Sequence, residues 1–504
     1  MKLKKKKKVL LGPVIMLLIL IAFVILISAI FSALEIKGTK TEISNNTLES
    51  SIVTVNSLLS GQGFKYMLSS SIENLQLFEP LFLLIVALIA TGISEASGLF
   101  KAIFSRFRNV NPKIVTFITL FLGIISSFLG EYSYVILIPY VGIIYKYIGR
   151  RPMLGVLTAF LGITIGYGTG ILPSIDDYVL GGYTTLAATI DVDPNYVYNL
   201  NSNMYIMLFS TILLTIVGTY IIEMSLAPKI PKTKNEDSEL KTPKKPLLLV
   251  YIVFTIIVLI LAYMITPGLP GSGLLLGDGD EYIVRLFGDG SPFKEGFIYI
   301  LLITNMICGF IYGYLSKNIK NSNEYSLGLS EEFENLGYVF VLLFFAAQLN
   351  GILNYTNLGE VIAVNLISFM GQVQFSGIAL IVTAFIVIVL MSILIPSLTT
   401  KYVLCSPILV PLFMKANITP DFTQFLFRVA DGVGKCFTPI FPFFMIMLAF
   451  LEKYNYNEEY KITIFGTIKL IMPSVLIFAG LWLLILIGWY IVGLPLGIGT
   501  TITL

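Results

Sequence analysis

The chain is predicted to be all-α and to live in a lipid bilayer, and three observations carry that prediction. Of its 504 residues, 56% are hydrophobic and 12% charged, about half the charged share of a soluble domain. The apolar residues gather in runs of roughly 20 or more, the length a helix needs to cross a hydrocarbon core. Basic and acidic loops alternate between those runs as the positive-inside rule asks. Residues 1–504 are therefore read as one polytopic domain in the cytoplasmic membrane, with about nine transmembrane helices. The lysine runs are short and border apolar spans, so no nucleic-acid footprint is present.

Met1 to Lys8 is lysine-rich, and the apolar stretch 9–34 behind it exceeds a signal-peptide h-region of about 7–15 residues. It is expected to remain as an anchor helix with its N-terminus in the cytoplasm. Glu35 to Phe78 is polar and expected outside, and the sequon-like Asn45-Asn46-Thr47 within it is given no weight. Spans are then expected at Glu79 to Phe104, Met153 to Ala188, Met204 to Leu226, Leu247 to Thr266, Phe297 to Ser316, Tyr338 to Asn354, Phe422 to Leu451 and Ile462 to Gly493.

Two further apolar stretches, Lys113 to Lys146 and Phe375 to Lys415, are too long for one helix across a core of about 30 Å, and each is interrupted near its middle. Each is read as a re-entrant hairpin; a tight helix pair spanning the whole membrane would leave the topology unchanged. With hairpins returning to their own side, the basic loops Lys101 to Lys113, Lys146 to Arg151, Lys229 to Lys245 and Lys317 to Lys320 all fall in the cytoplasm. The acidic Asp191 to Asp193 and Asp278 to Glu281 fall outside.

This topology makes the first hairpin enter from inside and the second from outside, each followed by a helix with a Gly-rich break. The first half, about 79–226, holds the tip Gly130-Glu131-Tyr132-Ser133 and the break from Gly166 to Pro173. The second, about 338–493, holds Ile395 to Thr399 and the break Asp431-Gly432-Val433-Gly434-Lys435. Such inverted repeats place a substrate and its coupling ion near the midplane. A charged side chain at the bilayer centre costs about 2.5–3.5 kcal/mol and must face protein or a cavity, so Lys401, Arg428, Asp431 and Lys435 are expected to serve a site. The plainer alternative is an Arg428–Asp431 ion pair joining two helices.

Some chemistries are excluded. The chain has no histidine, so near-neutral proton coupling falls to carboxylate, lysine or tyrosine. Cys308, Cys405 and Cys436 lie in apolar segments without metal-site or disulfide spacing. No nucleophile–base or metal constellation supports the alternative of an intramembrane enzyme, and no cofactor is called for.

Several segments together resemble the p-aminobenzoyl-glutamate transporter (AbgT) family over nearly the whole chain. They include Gly61 to Phe64, Gly92 to Leu99, Gly149 to Pro152, Asp177 to Gly182, Phe344 to Gln348, Ser397 to Tyr402, Arg428 to Pro442 and Gly493 to Gly497. The resemblance implies a bowl-shaped homodimer with two hairpins per protomer. It also implies cation-coupled transport of p-aminobenzoyl-glutamate or efflux of sulfonamide-like antimetabolites. Asp177, Ser397, Thr399, Tyr402, Arg428, Asp431 and Pro442 would then bind an anionic substrate, with Arg428 gripping its carboxylate. Glu131, Gly170, Asp431 and Lys435 would serve ion coupling.

Where the family pattern usually carries Asn after the first break, this chain has Gly170, and where the second usually reads Ser-Ser-Thr-Asn it has Gly432 to Lys435. Tyr402 replaces a Trp and Glu131 an Asp. An ammonium at Lys435 repels Na⁺ and satisfies nearby carbonyls in its place, so a proton, rather than Na⁺, is the expected coupling ion. A carrier of another small anion, such as an amino acid or short carboxylate, is the alternative.

Overall fold

A computed structural model describes residues 11–44, 47–231, 240–333, 336–372, 376–457 and 459–504. The lysine run, Asn45 and Asn46 of the sequon, the middle of the Lys229–Lys245 loop and the first residue of the second expected hairpin lie outside these. The long helices are α1 (Pro13–Ala33), α2 (Glu79–Ala96), α3 (Pro112–Ile125), α4 (Tyr132–Ile148), α5 (Pro152–Ile165), α6 (Ile175–Asp191), α7 (Met204–Ile221) and α8 (Lys244–Ile265). They continue as α9 (Pro292–Ser316), α10 (Gly337–Thr356), α11 (Leu358–Gln372), α12 (Gly377–Leu394), α13 (Leu398–Lys415), α14 (Pro420–Lys435), α15 (Pro442–Lys453) and α16 (Ile464–Val492).

Prolines open α1, α3, α5, α9, α14 and α15 in their first turn, where the missing N–H leaves no bond unmade. Left-handed glycines close α4 at Gly149 (φ 80°) and α16 at Gly493 (φ 70°).

Burial runs opposite to a soluble protein's. Of the strongly apolar α8, only Pro246, Leu247 and Val250 are buried, whereas all sixteen residues of α14, with two aspartates, an arginine and a lysine, are inside. That order is stable only if the outer solvent is lipid.

Among the described residues, nine helices are long and apolar enough to cross a membrane. The number is as expected, but two members differ. Pro112–Leu129 and Gly377–Leu394, the first arms of the expected hairpins, qualify. The expected spans Met153–Ala188 and Phe422–Leu451 are instead each divided in two, into α5 with α6 and α14 with α15. One element was not expected: Lys37–Ser44 (β1) pairs antiparallel with Thr47–Thr54 (β2), Lys37 opposite Thr54. This ribbon packs on α11, where Lys40 meets Glu360 at 3.0 Å.

The order helix, bend, helix, helix, break, helix occurs twice. In the first set α3 bends through Ser126–Leu129 and Gly130-Glu131 into α4, and Gly166 to Ser174 separates α5 from α6. In the second, α12 bends at Ile395-Pro396-Ser397 into α13, and Cys436 to Phe441 separates α14 from α15. The two sets interleave: α14 packs against α5 and α6, α13 against α6, and α15 against α4 and α5.

The second break begins later than expected. Gly432 and Gly434 are helical, and each is a point of close approach. A Cβ on Gly432 would lie 2.2 Å from the Thr164 carbonyl oxygen of α5, and one on Gly434 2.5 Å from that of Val389 in α12. Their missing side chains are what let three helices meet.

Candidate functional site

The two interleaved sets meet where α6, α13 and α14 converge, and five charged side chains are buried there. Ser174 caps α6: its hydroxyl accepts from the Asp177 amide, and the Asp177 carboxylate accepts from the Ser174 amide at 2.7 Å. This reciprocal box fixes the aspartate so that its other oxygen takes a hydrogen bond from Arg428 on α14. The Arg428 Nε is buried and has no hydrogen-bond partner. The guanidinium therefore has donor capacity its aspartate does not use.

One turn further along α14, Asp431 sits between two ammonium groups. Its Oδ1 accepts from Lys401 of α13 and, at 2.8 Å, from the Ser392 hydroxyl of α12. Its Oδ2 lies 2.9 Å from the Lys435 Nζ. Tyr167, in the first break, lies against both cationic residues of α14: the Lys435 Nζ is 4.3 Å and the Arg428 Cζ 5.7 Å from its ring centroid. Its hydroxyl donates to Asp176 at 2.8 Å. The five charges are three cations and two carboxylates, none more than 4% exposed.

A polar junction adjoins them. The Thr184 hydroxyl on α6 lies 2.6 Å from the Tyr402 hydroxyl and 2.5 Å from the Gln424 Oε1, and the Gln424 Nε2 donates to the Asp177 carbonyl at 3.1 Å. The backbone freed by the breaks is also engaged. Ser127 donates to the Thr169 carbonyl at 2.5 Å, Thr211 to that of Gly170 at 3.2 Å, and Thr438 to that of Ile393 at 2.7 Å.

Of the residues singled out from sequence, Asp177, Lys401, Arg428, Asp431, Lys435 and Tyr402 converge here. Ser397 is the exposed cap of α13, its hydroxyl accepting from the Thr400 amide at 3.3 Å. Thr399 and Pro442 are half-buried, and Glu131 is exposed at the first bend. Gly170 contributes only backbone. The alternative Arg428–Asp431 pair does not form: Arg428 pairs with Asp177, and Asp431 with the two lysines.

Sequence reasoning gave Lys401 no specific role and passed over Tyr167, Thr184, Ser392 and Gln424. A glutamine one turn before the arginine on the same helix was the available signal for Gln424; the others carried none.

Apolar helices with lipid-facing sides, broken twice around a buried, charge-rich junction, are the arrangement of a membrane transporter. The chain belongs to the AbgT putative transporter family, whose profile matches residues 4–504. It is 28% identical over 494 residues to the p-aminobenzoyl-glutamate transport protein of Escherichia coli (strain K12), covering 97% of this chain and 93% of that one. Among solved structures it is 27% identical to the Alcanivorax borkumensis YdaH transporter, covering 97% of this chain and 100% of that one, with a TM-score of 0.49. Identity to Neisseria gonorrhoeae MtrF, from a class described as antimetabolite efflux pumps, is also 27%, covering 98% of each chain with a TM-score of 0.48.

Proposed function

We propose that this protein carries p-aminobenzoyl-glutamate, or a related aromatic carboxylate, across the cytoplasmic membrane by alternating access, coupled to protons rather than Na⁺. The Escherichia coli relative's substrate supports the first part. The observation that carries it is Arg428 in the buried junction, paired with Asp177 while its Nε is left without a partner. Such a site gains by admitting an anionic group, and a guanidinium offers a carboxylate two parallel hydrogen bonds. Proton coupling is supported by the Lys401 and Lys435 ammonium groups, each within ion-pair distance of one oxygen of Asp431, since fixed cations there repel Na⁺. A cytoplasmic N-terminus, a homodimer and two bends entering from opposite faces complete the proposal, the last supported by the twofold order of elements.

Uptake of labelled p-aminobenzoyl-glutamate into proteoliposomes, under separately imposed H⁺ and Na⁺ gradients, tests it. Accumulation driven by a proton gradient and unchanged when choline replaces Na⁺ is expected. Strict Na⁺ dependence would refute the coupling, and uptake of glutamate but not the benzoyl compound would refute the substrate.

A further inference from the structure

Gln424, Arg428, Asp431 and Lys435 follow one another along α14 at steps of four, three and four residues, so the helical period puts them on one face. All four are buried. Arg428, Asp431 and Lys435 make the ion pairs of the junction, and Gln424 is the neutral member of the row. On α6, Asp177 and Thr184 are seven residues apart and share a face by the same period. The Gln424 amide bonds to both positions.

The direction of each hydrogen bond follows from the protons available. The Gln424 Oε1 and the Thr184 hydroxyl oxygen are 2.5 Å apart, a separation two oxygens hold only with a proton between them, and an amide oxygen has none to give. Thr184 therefore donates there; the Leu180 carbonyl, at 2.9 Å, is the more distant claimant on the same proton. With that proton committed, Thr184 accepts from the Tyr402 hydroxyl at 2.6 Å. Turning the amide over would set its oxygen against the Asp177 carbonyl, which takes a hydrogen bond from the Nε2 at 3.1 Å. The chain thus runs one way, from Tyr402 on α13 through Thr184 and Gln424 to the Asp177 backbone.

It ends on the residue that holds Arg428. Asp177 is bonded through its side chain to the guanidinium and through its carbonyl to Gln424, so the start of α6 is fixed from two points one turn apart on α14. A satisfied buried network of this kind holds its members rigidly. We infer that Gln424 and Thr184 are positioning residues, which fix the Asp177 segment against α14 and thereby the direction in which Arg428 offers its unpartnered Nε to a substrate carboxylate. The inference rests on the reading of Arg428 as the carboxylate site.

Gln424→Met keeps the volume and removes both hydrogen bonds, and Thr184→Val keeps the shape and removes the hydroxyl. Uptake of p-aminobenzoyl-glutamate into proteoliposomes should show KM raised about tenfold in each, the scale of one lost hydrogen bond, with the maximal rate within about twofold of wild type. The double variant should be no worse than the poorer single one, because both cut one chain. Thr184→Ser, which keeps a hydroxyl, should hold KM near the wild-type value, and the two Thr184 variants carry the test if Gln424→Met does not fold. An unchanged KM beside a lowered Tm would reduce Gln424 to packing, and KM factors that multiply would make the contacts independent; either result overturns the assignment. Wild-type uptake of glutamate but not of the benzoyl compound would refute the proposed substrate instead, and the same comparisons on glutamate then decide this inference, which concerns only the carboxylate.

Discussion

Asp431 is held between the Lys401 and Lys435 ammonium groups with no solvent exposure, so its removal leaves two buried like charges face to face. Asp431→Asn is expected to destabilise the protein by about 3–5 kcal/mol, the usual cost of stranding a buried charge, seen as a lower Tm in detergent. Adding Lys435→Met should return part of that loss; an additive further loss would show that Lys435 is held instead by the Tyr167 and Phe441 rings, whose centroids lie 4.3 and 5.3 Å from its Nζ. Arg428 makes a different demand, because its fork is planar. Arg428→Lys should lose transport nearly as fully as Arg428→Ala, since an ammonium cannot offer paired donors to a carboxylate; near-normal uptake by the lysine variant would show that charge alone suffices. At this scale the sequence singled out charges that the structure buries together, but not their partners. Asp177 and Arg428 are 251 residues apart, and nothing local announces such a pair.

The glycines of α14 mark where local reasoning failed at the scale of an element. A mid-helix glycine costs about 1 kcal/mol relative to alanine, which made Gly432 and Gly434 read as a break. The helix continues because the Thr164 and Val389 carbonyls approach too closely for any side chain, and that contact lies in other segments. Gly432→Ala is expected to cost at least about 1–3 kcal/mol through overpacking, even though alanine is the better helix former; a stabilised variant would mean that α14 and α5 are less tightly joined. The ribbon of β1 and β2 escaped notice for another reason: its residues are mostly Ser, Thr and charged, without an apolar period. The capping of α6 by Ser174 with Asp177 three residues on has a local sequence signature that went unread.

For the whole molecule, seven of the nine spans among the described residues and the two interrupted stretches were legible because hydropathy and loop charge are properties of long segments. The division of two expected spans was not, since an apolar run looks alike whether or not it is broken. The opposed entry of the two bends is tested by single cysteines in a background lacking Cys308, Cys405 and Cys436. Glu131 and Ser397 are the exposed positions to use, while Ser133, next to the first bend, is buried. Glu131→Cys should react with an impermeant thiol reagent from the cytoplasmic side and Ser397→Cys from the other, each protected by substrate. Labelling of both from one side in every condition would defeat the opposed arrangement.

The nearly unburied α8 makes the bilayer a participant with dimensions of its own. Its 22 residues extend roughly 33 Å, close to a hydrocarbon core of about 30 Å, while the 29 residues of α16 extend roughly 43 Å. A thin membrane would leave both overlong and force them to tilt, each ångström of mismatch costing a fraction of a kcal/mol. Because α16 packs on α7, α12 and α14, that tilt would act on the helix carrying Arg428 and Asp431. Uptake is therefore expected to peak at one acyl-chain length and fall on either side, as measured in vesicles of stepped chain length.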